Sequence, residues 1–211
     1  MAVIGAVLGD IAGSQFEFNR PENLDYKHCE LFTNRCSYTD DTIMTLAVKK
    51  AILENADFTK TMREVGQPYP YSGYGGRFYE WMYGENPKPY NSFGNGSAMR
   101  VSFVGEHFDA LEDVISMAEK SAEVTHNHPE GIKGAQATAA CIYLARTGKS
   151  KQKIKEYIET TFGYNLSRTC DEIRPTYYFN ESCQGTVPES IIAFLESTDY
   201  ESAVQLVKTV C

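Results

Sequence analysis

The chain has 211 residues, of which 42% are hydrophobic and 23% are charged, a globular balance that excludes wholesale disorder and collagen-like or coiled-coil fibres. This length suits one core, so we expect a single domain over residues 1–211. With 20 basic and 28 acidic side chains the formal net charge is −8, which disfavours binding to nucleic-acid backbones because no global positive field attracts phosphates.

The first nine residues are apolar, but they lack a basic start and meet Asp10 well short of the roughly 20 residues that a membrane span needs. They predict neither a signal peptide nor a membrane helix, and no membrane partner. The cysteines are scattered without a Cys-x-x-Cys pair, which indicates neither a zinc framework nor a disulfide scaffold and predicts a cytoplasmic location. They are Cys29, Cys36, Cys141, Cys170, Cys183 and Cys211.

Helical periodicity dominates the chain and predicts a mainly α domain. The clearest helix follows Thr39, an expected N-cap, because apolar residues recur at three- and four-residue steps from Ile43 to Ile52. Further helices are predicted over 3–12, 74–83, 97–106, 110–123, 129–147, 151–162, 188–196 and 201–208. Loops are predicted over 13–38, 66–76, 84–96 and 163–187. The helix over 129–147 is rich in Gly and Ala, which let neighbouring helices approach, so we expect it to be central.

The sequence Tyr38-Thr39-Asp40-Asp41-Thr42 stands at a predicted helix start. Two adjacent carboxylates flanked by hydroxyls offer hard oxygen ligands, which suit Mg²⁺ or Mn²⁺ better than zinc. A threonine N-cap and acids in the first turn also complement the helix dipole without any metal. On local sequence alone both interpretations stay open.

A glycine-rich turn over 92–100, with the sequence SFGNGSAMR, enters another predicted helix. Glycines allow close backbone approach, and free amides at a helix start favour an anion such as phosphate. An ordinary turn before a serine cap is the alternative.

Two further polar residues are candidates for a site. Glu17, in the segment 9–18, is a candidate general base, with a solvated loop carboxylate as the alternative. His126 directly precedes the predicted central helix, and a histidine that stacks or hydrogen-bonds near a pocket is favoured over a zinc ligand.

Taken in chain order, five segments resemble the ADP-ribosylglycohydrolase family, which includes dinitrogenase reductase activating glycohydrolases and ADP-ribosyl-acceptor hydrolases. The resemblance covers nearly the whole chain, and the order and spacing of the segments make it specific. The segments are GDIAGSQFEF (9–18), SYTDDTIMTLAV (37–48), GNGSAMRVSFVG (94–105), THNHPEGIKGAQATA (125–139) and TVPESIIAFLESTDYESAV (186–204).

The resemblance implies a compact, orthogonal, all-α multi-helix fold with two Mg²⁺ or Mn²⁺ ions in a cleft. It implies hydrolysis of the bond between C1″ of ADP-ribose and an amino-acid side chain or small leaving group. The residues that match the family's motifs are Thr39, Asp40 and Asp41 as metal ligands, Gly94, Asn95, Gly96, Ser97 and His126 as substrate-binding residues, and Glu17 and Asp40 as catalytic carboxylates.

One family motif has no match. Members carry a late Gly-Gly-Asp-x-Asp-Thr motif that completes the two-ion site, and no Asp-x-Asp-Thr occurs in the 211 residues. We therefore expect a domain that is short at its C-terminal end and holds at most one weakly bound cation. Two functions stay open: a metal-dependent hydrolase that removes ADP-ribose from a modified protein side chain or small acceptor, and a catalytically impaired relative that binds ADP-ribose or a protein partner. The oligomeric state cannot be read from the sequence.

Overall fold

The computed structural model describes residues 1–17, 25, 26 and 28–210. Across these residues the chain is helical without a strand, apart from an isolated antiparallel bridge between Gly94 and Ser182, so the predicted all-α fold is confirmed. The helices are α1 (Ala2–Ser14), α2 (Asp40–Leu53), α3 (Phe58–Gly66), α4 (Gly76–Tyr83), α5 (Gly96–Met99), α6 (Ser102–His107), α7 (Leu111–Glu123), α8 (Pro129–Arg146), α9 (Lys151–Phe162), α10 (Cys170–Ile173), α11 (Cys183–Glu196) and α12 (Tyr200–Val210). Phe18 of the segment 9–18 and the cysteine Cys211 lie outside the described residues.

α8 lies at the centre of the fold, as its small residues predict. It packs against α5, α6, α7, α9 and α11. Its glycines and most of its alanines are buried, which allows these neighbours to approach closely. The approach is tightest at Gly134, where an added Cβ atom would lie 2.4 Å from Cys183 Sγ.

Two apolar clusters flank α8 and use different faces of it. The first cluster joins α2, α3, α4, α6 and α7 to Ala135 and Ala139 of α8. The second joins α9, α10, α11 and α12 to Ala137 and Ala140. Because burial of apolar area is the dominant favourable contribution to folding, α8 is the element on which both clusters depend. None of the described helices combines the length and apolar character that crossing a bilayer requires.

The prediction of one helix over 97–106 is wrong, because the structure contains two helices there, α5 and α6. The break falls at Arg100, whose side chain is fully buried. Arg100 Nη2 donates to the Ser121 carbonyl oxygen (2.7 Å) and to Thr125 Oγ1 (2.9 Å). A buried guanidinium group needs such partners, and the chain leaves the helix where the side chain reaches them.

Two short helices of the structure are not among the predicted ones. α3 is capped by Asp57, whose side chain accepts a hydrogen bond from the Lys60 amide (2.8 Å). α10 lies within the stretch 163–187, which the sequence predicts as a loop, and it begins with a capping box formed by Thr169 and Glu172. In both cases the cap supplies a local signal for the start of the helix.

α11 begins earlier than predicted. Ser182 is its N-cap and accepts a hydrogen bond from the Gly185 amide (3.2 Å), so the first residue is Cys183 and Pro188 lies inside the helix. The prediction started this helix at Pro188 because proline favours the first turn. The remaining predicted boundaries agree with the structure to within two residues.

Gly105 of α6 lies against α8, where an added Cβ atom would be 2.6 Å from the Ala139 carbonyl oxygen and 2.7 Å from Ile142 Cβ. Replacing Gly105 with Ala should lower the free energy of unfolding by about 1–3 kcal/mol, because the two backbones must separate. Gly76→Ala is the matched control, since its Cβ atom meets nothing within 4 Å. Urea unfolding measures both variants, and equal stability losses would contradict this close contact.

Candidate active site

Asp10 of α1 holds the start of α2 in place. Its Oδ2 accepts hydrogen bonds from the Thr39 amide (2.8 Å) and from Thr42 Oγ1 (2.5 Å), and its Oδ1 accepts one from Thr39 Oγ1 (2.6 Å). The Thr42 amide also donates to Oδ2 at 3.3 Å. Hydrogen bonds to a carboxylate are stronger than those between neutral groups, so Asp10 fixes the position of the residues that follow Thr39.

Asp40 and Asp41 form the first turn of α2. Thr39 caps this turn, and its Oγ1 lies 3.3 Å from Asp41 Oδ2. Burial raises the pKa of Asp40 to about 7, with a further rise from the negative charges of Glu17 and Asp10. Burial also raises the pKa of Asp41 to about 8, with contributions from the neighbouring acids. Both carboxyl groups therefore titrate near neutral pH in the absence of a bound cation.

Glu17, just after α1, belongs to the same group of acids. Partial burial raises the pKa of Glu17, and the negative charges of Asp10 and Glu181 raise it further. The carbonyl oxygen of Glu181 accepts a hydrogen bond from the Asn95 amide (2.7 Å), which connects this group to the turn over 92–97. We call Asp10, Glu17, Asp40 and Asp41 the acidic centre, and residues 92–97 the glycine turn.

The acidic centre has the donor chemistry of a site for a hard divalent cation. Its carboxylates and the Thr39 hydroxyl offer only oxygen ligands. The charges that raise the pKa of Asp41 are those of other acids, and a cation would relieve this repulsion. The side chains are not arranged for metal coordination in this conformation. Among residues 1–17, 25, 26 and 28–210, no three His, Cys, Asp or Glu side chains are placed to hold a metal ion. Asp10 is one reason for the missing arrangement, because both of its carboxylate oxygens accept hydrogen bonds from threonines.

The glycine turn is already hydrogen-bonded within the protein. The Asn95 amide donates to the Glu181 carbonyl oxygen, and the Gly94 amide donates to Ser92 Oγ (3.1 Å). These two amides are engaged in this conformation and do not face an anion. The glycines instead allow another side chain to approach the backbone closely.

That side chain is His126, which is buried beside the turn. A Cβ atom added to Gly96 would lie 3.2 Å from His126 Nε2, and one added to Gly94 would lie 3.5 Å from it. Burial lowers the pKa of His126 to about 3, so the imidazole is neutral at physiological pH. The structure thus brings together the predicted site residues Gly94, Gly96 and His126.

Ser97 lies behind the turn. It is fully buried, and its Oγ donates to the Gly131 carbonyl oxygen (2.7 Å) and lies 3.5 Å from Cys183 Sγ. Its hydroxyl therefore connects α5 to α8. The sequence places Ser97 in the substrate loop, and in the structure its side chain hydrogen-bonds into the interior beside this loop.

Three residues that shape the site receive no role from the sequence: Asp10, Glu181 and Arg100. A signal exists for Asp10, which interrupts an apolar helix, because a charge in such a helix needs a polar partner. Glu181 and Arg100 act through residues distant in the chain, and no local pattern marks them.

Two surface depressions of about 360 and 590 Å³ lie elsewhere in the described part of the chain. The first runs along the surface of α3, and the second lies between residues 28–32 and α12. Neither is lined by the acidic centre or the glycine turn, so the candidate site is identified by its chemistry rather than by cavity size.

The pKa of Asp41 predicts how stability depends on pH. A carboxyl group whose pKa is higher in the folded state binds its proton more tightly there, so the free energy of unfolding falls as pH rises from about 4 to about 8. Asp41→Asn should flatten this fall and raise the melting temperature at pH 8, in EDTA, by about 2–4 °C. Asp109→Asn, at an exposed acid, is the control for the change in net charge. Parallel pH profiles of Asp41→Asn and the parent chain would contradict the interpretation.

Comparison with known proteins supports the resemblance found in the sequence. A family model described as ADP-ribosylglycohydrolase matches residues 1–209. The ADP-ribosylhydrolase ARH3 of Mus musculus is 30% identical over 192 residues, covering 76% of this chain and 51% of that protein. The ARH3 of Homo sapiens is 30% identical over 181 residues, covering 71% and 50%. The chain therefore spans about half the length of the curated relatives it matches.

A solved structure, described as an ADP-ribosylglycohydrolase-related protein complex, has the same fold. It matches with a TM-score of 0.74 at 20% identity, covering 99% of this chain and 79% of that chain. Since the family model spans nearly the whole sequence and the helices follow the same arrangement, the chain belongs to the ADP-ribosylglycohydrolase family.

Proposed function

We propose that this chain hydrolyses the bond between C1″ of ADP-ribose and a protein side chain or small acceptor. The observation that carries the proposal is the acidic centre, in which half-buried carboxyl groups of α1 and α2 adjoin the glycine turn through Glu181. The curated relatives are named ADP-ribosylhydrolases, which agrees with this chemistry. ADP-ribose, alone or on a protein, is the ligand we assign to the site.

We assign a divalent cation, Mg²⁺ or Mn²⁺, to the acidic centre. Thr39, Asp40, Asp41 and Glu17 would hold it, because their oxygens are hard ligands and their acids repel one another. When bound, such an ion lowers the pKa of a water molecule and orients the ribose hydroxyls.

The carboxyl groups of the chain supply the proton transfers. The pKa of Asp40 is about 7 and that of Glu17 is raised in the absence of a cation, and a bound cation would lower both. Their proposed role therefore rests on their place in the acidic centre, where a carboxylate can accept a proton from water. Asp10 is engaged with Thr39 and Thr42 and serves to position α2. We therefore assign the catalytic roles to Glu17 and Asp40.

The glycine turn and His126 bind the other end of the ligand. Gly94 and Gly96 carry no side chain that would cover His126 Nε2, so the neutral imidazole offers a hydrogen-bonding group at the turn without a charge. Binding of an anionic ligand by an acidic chain then needs no basic surface, because the contacts are made by neutral polar groups.

A melting experiment tests the cation. Mg²⁺ in the millimolar range should raise the melting temperature by about 3 °C, because a ligand that binds only the folded state stabilises it. The variant Asp40→Ala with Asp41→Ala should lose this response. Asp109→Ala is the matched control and should keep it. Equal Mg²⁺ stabilisation of all three proteins would overturn the assignment of the cation to α2.

Turnover is tested with peptides that carry ADP-ribose on serine or arginine, incubated with the chain and Mg²⁺, and assayed for released ADP-ribose. Glu17→Gln and Asp40→Asn should each lower the rate by about 100-fold or more, as removal of a catalytic acid or base does. Asp109→Asn should retain the parent rate.

Calorimetry with ADP-ribose on the same proteins separates the two functions. Binding accompanied by release supports the hydrolase. Binding without release would instead establish the catalytically impaired relative, and the absence of both would overturn the assignment of ADP-ribose to this site.

A further inference from the structure

Arg100 carries a buried positive charge behind the glycine turn. Burial lowers its pKa to about 10, which leaves the guanidinium group charged at neutral pH. Its Nη2 donates to Thr125 Oγ1 at 2.9 Å, and Thr125 Oγ1 in turn lies 2.7 Å from His126 Nδ1. These contacts form a chain of hydrogen bonds from Arg100 through Thr125 to His126.

The direction of the second hydrogen bond follows from where the Thr125 hydroxyl proton can be donated. A threonine hydroxyl has one proton, and Thr125 Oγ1 already accepts from Arg100. The Ala122 carbonyl oxygen is the other acceptor in reach, but it is 3.4 Å away. It also accepts from the amides of Thr125 (3.1 Å) and His126 (2.8 Å). The hydroxyl proton is therefore directed to His126 Nδ1.

We propose that Arg100 and Thr125 are positioning residues that hold His126 in the tautomer with its proton on Nε2. The nitrogen that accepts a hydrogen bond in a neutral imidazole forces the proton onto the other nitrogen. Nε2 is the ring atom closest to the positions where side chains of Gly94 and Gly96 would stand. His126 then presents a single N–H donor at the glycine turn.

The surroundings of His126 keep this donor neutral. Burial acts first, and the positive charges of Arg100 and Arg77 act in the same direction. Tyr90, whose ring centre lies 6.0 Å from that of His126, is also held neutral, because burial raises its pKa to about 12. None of Arg100, Arg77 and Tyr90 favours a second proton on the imidazole.

A fixed N–H donor selects the chemistry of its ligand. It bonds an acceptor oxygen, such as that of a sugar hydroxyl, ring ether or phosphate, and it penalises a ligand that presents an N–H group there. This specificity rests on the proposed function, because it takes ADP-ribose as the ligand. The tautomer itself does not depend on any ligand.

NMR spectroscopy of the chain labelled with ¹⁵N-histidine tests the tautomer without ligand. The His126 signals are identified by their loss in His126→Gln. In the parent chain we expect a protonated Nε2 and an unprotonated Nδ1 near pH 7. Thr125→Val, which has the same shape without the hydroxyl, should give a mixture of tautomers, whereas Thr125→Ser should keep the parent pattern.

A protonated Nδ1 in the parent chain, or an unchanged pattern in Thr125→Val, would overturn the proposal. If Thr125→Val does not fold, the spectra of the parent chain and of Thr125→Ser still test the His126 tautomer. Calorimetry adds a second readout, in which Thr125→Val weakens ADP-ribose binding about tenfold and Thr125→Ser restores it. Loss of ADP-ribose binding in every protein would count against the proposed function alone, since the NMR result stands by itself.

Discussion

The hydrogen bonds from Thr39 and Thr42 to Asp10 are the interaction on which the site depends. They join α1 to the first turn of α2 and place Asp40 and Asp41 beside a third acid. Grouping carboxylates in this way opposes folding, because burial and like charge both disfavour ionisation. The threonine hydrogen bonds offset part of that cost locally, and the apolar clusters on either side of α8 provide the rest of the stability that this arrangement requires.

α8 explains how one small chain positions two separate groups of polar residues. Its small residues let the helices that bear the glycine turn and those that surround α2 pack on the same element. His126 lies just before α8, and Ser97 hydrogen-bonds the carbonyl oxygen of Gly131 in its first turn. The glycine turn and His126 are therefore attached directly to the central helix.

Much of this arrangement follows from local sequence. The cap at Thr39, the small residues of α8 and the amphipathic pattern of most helices suffice to predict the elements and the central position of α8. The break at Arg100 and the early start of α11 were not predictable, because a buried guanidinium group and a cap at Ser182 override helical periodicity. Within the site, the motif residues could be identified. The charge of Asp10 in an apolar helix indicates that it needs a polar partner, but that partner lies 29 residues further along the chain and no local pattern identifies it.

The link between the glycine turn and α11 has a consequence for how ligands associate. Gly94 forms a bridge with Ser182, and the Asn95 amide donates to Glu181, so the turn is ordered by the fold itself. Its conformational entropy is already lost before a ligand arrives, and binding need not supply that free energy. The turn is preorganised, and displacing it alone would break its contacts with the start of α11. A ligand that requires the turn to adapt must therefore break these contacts, and that cost lowers its affinity.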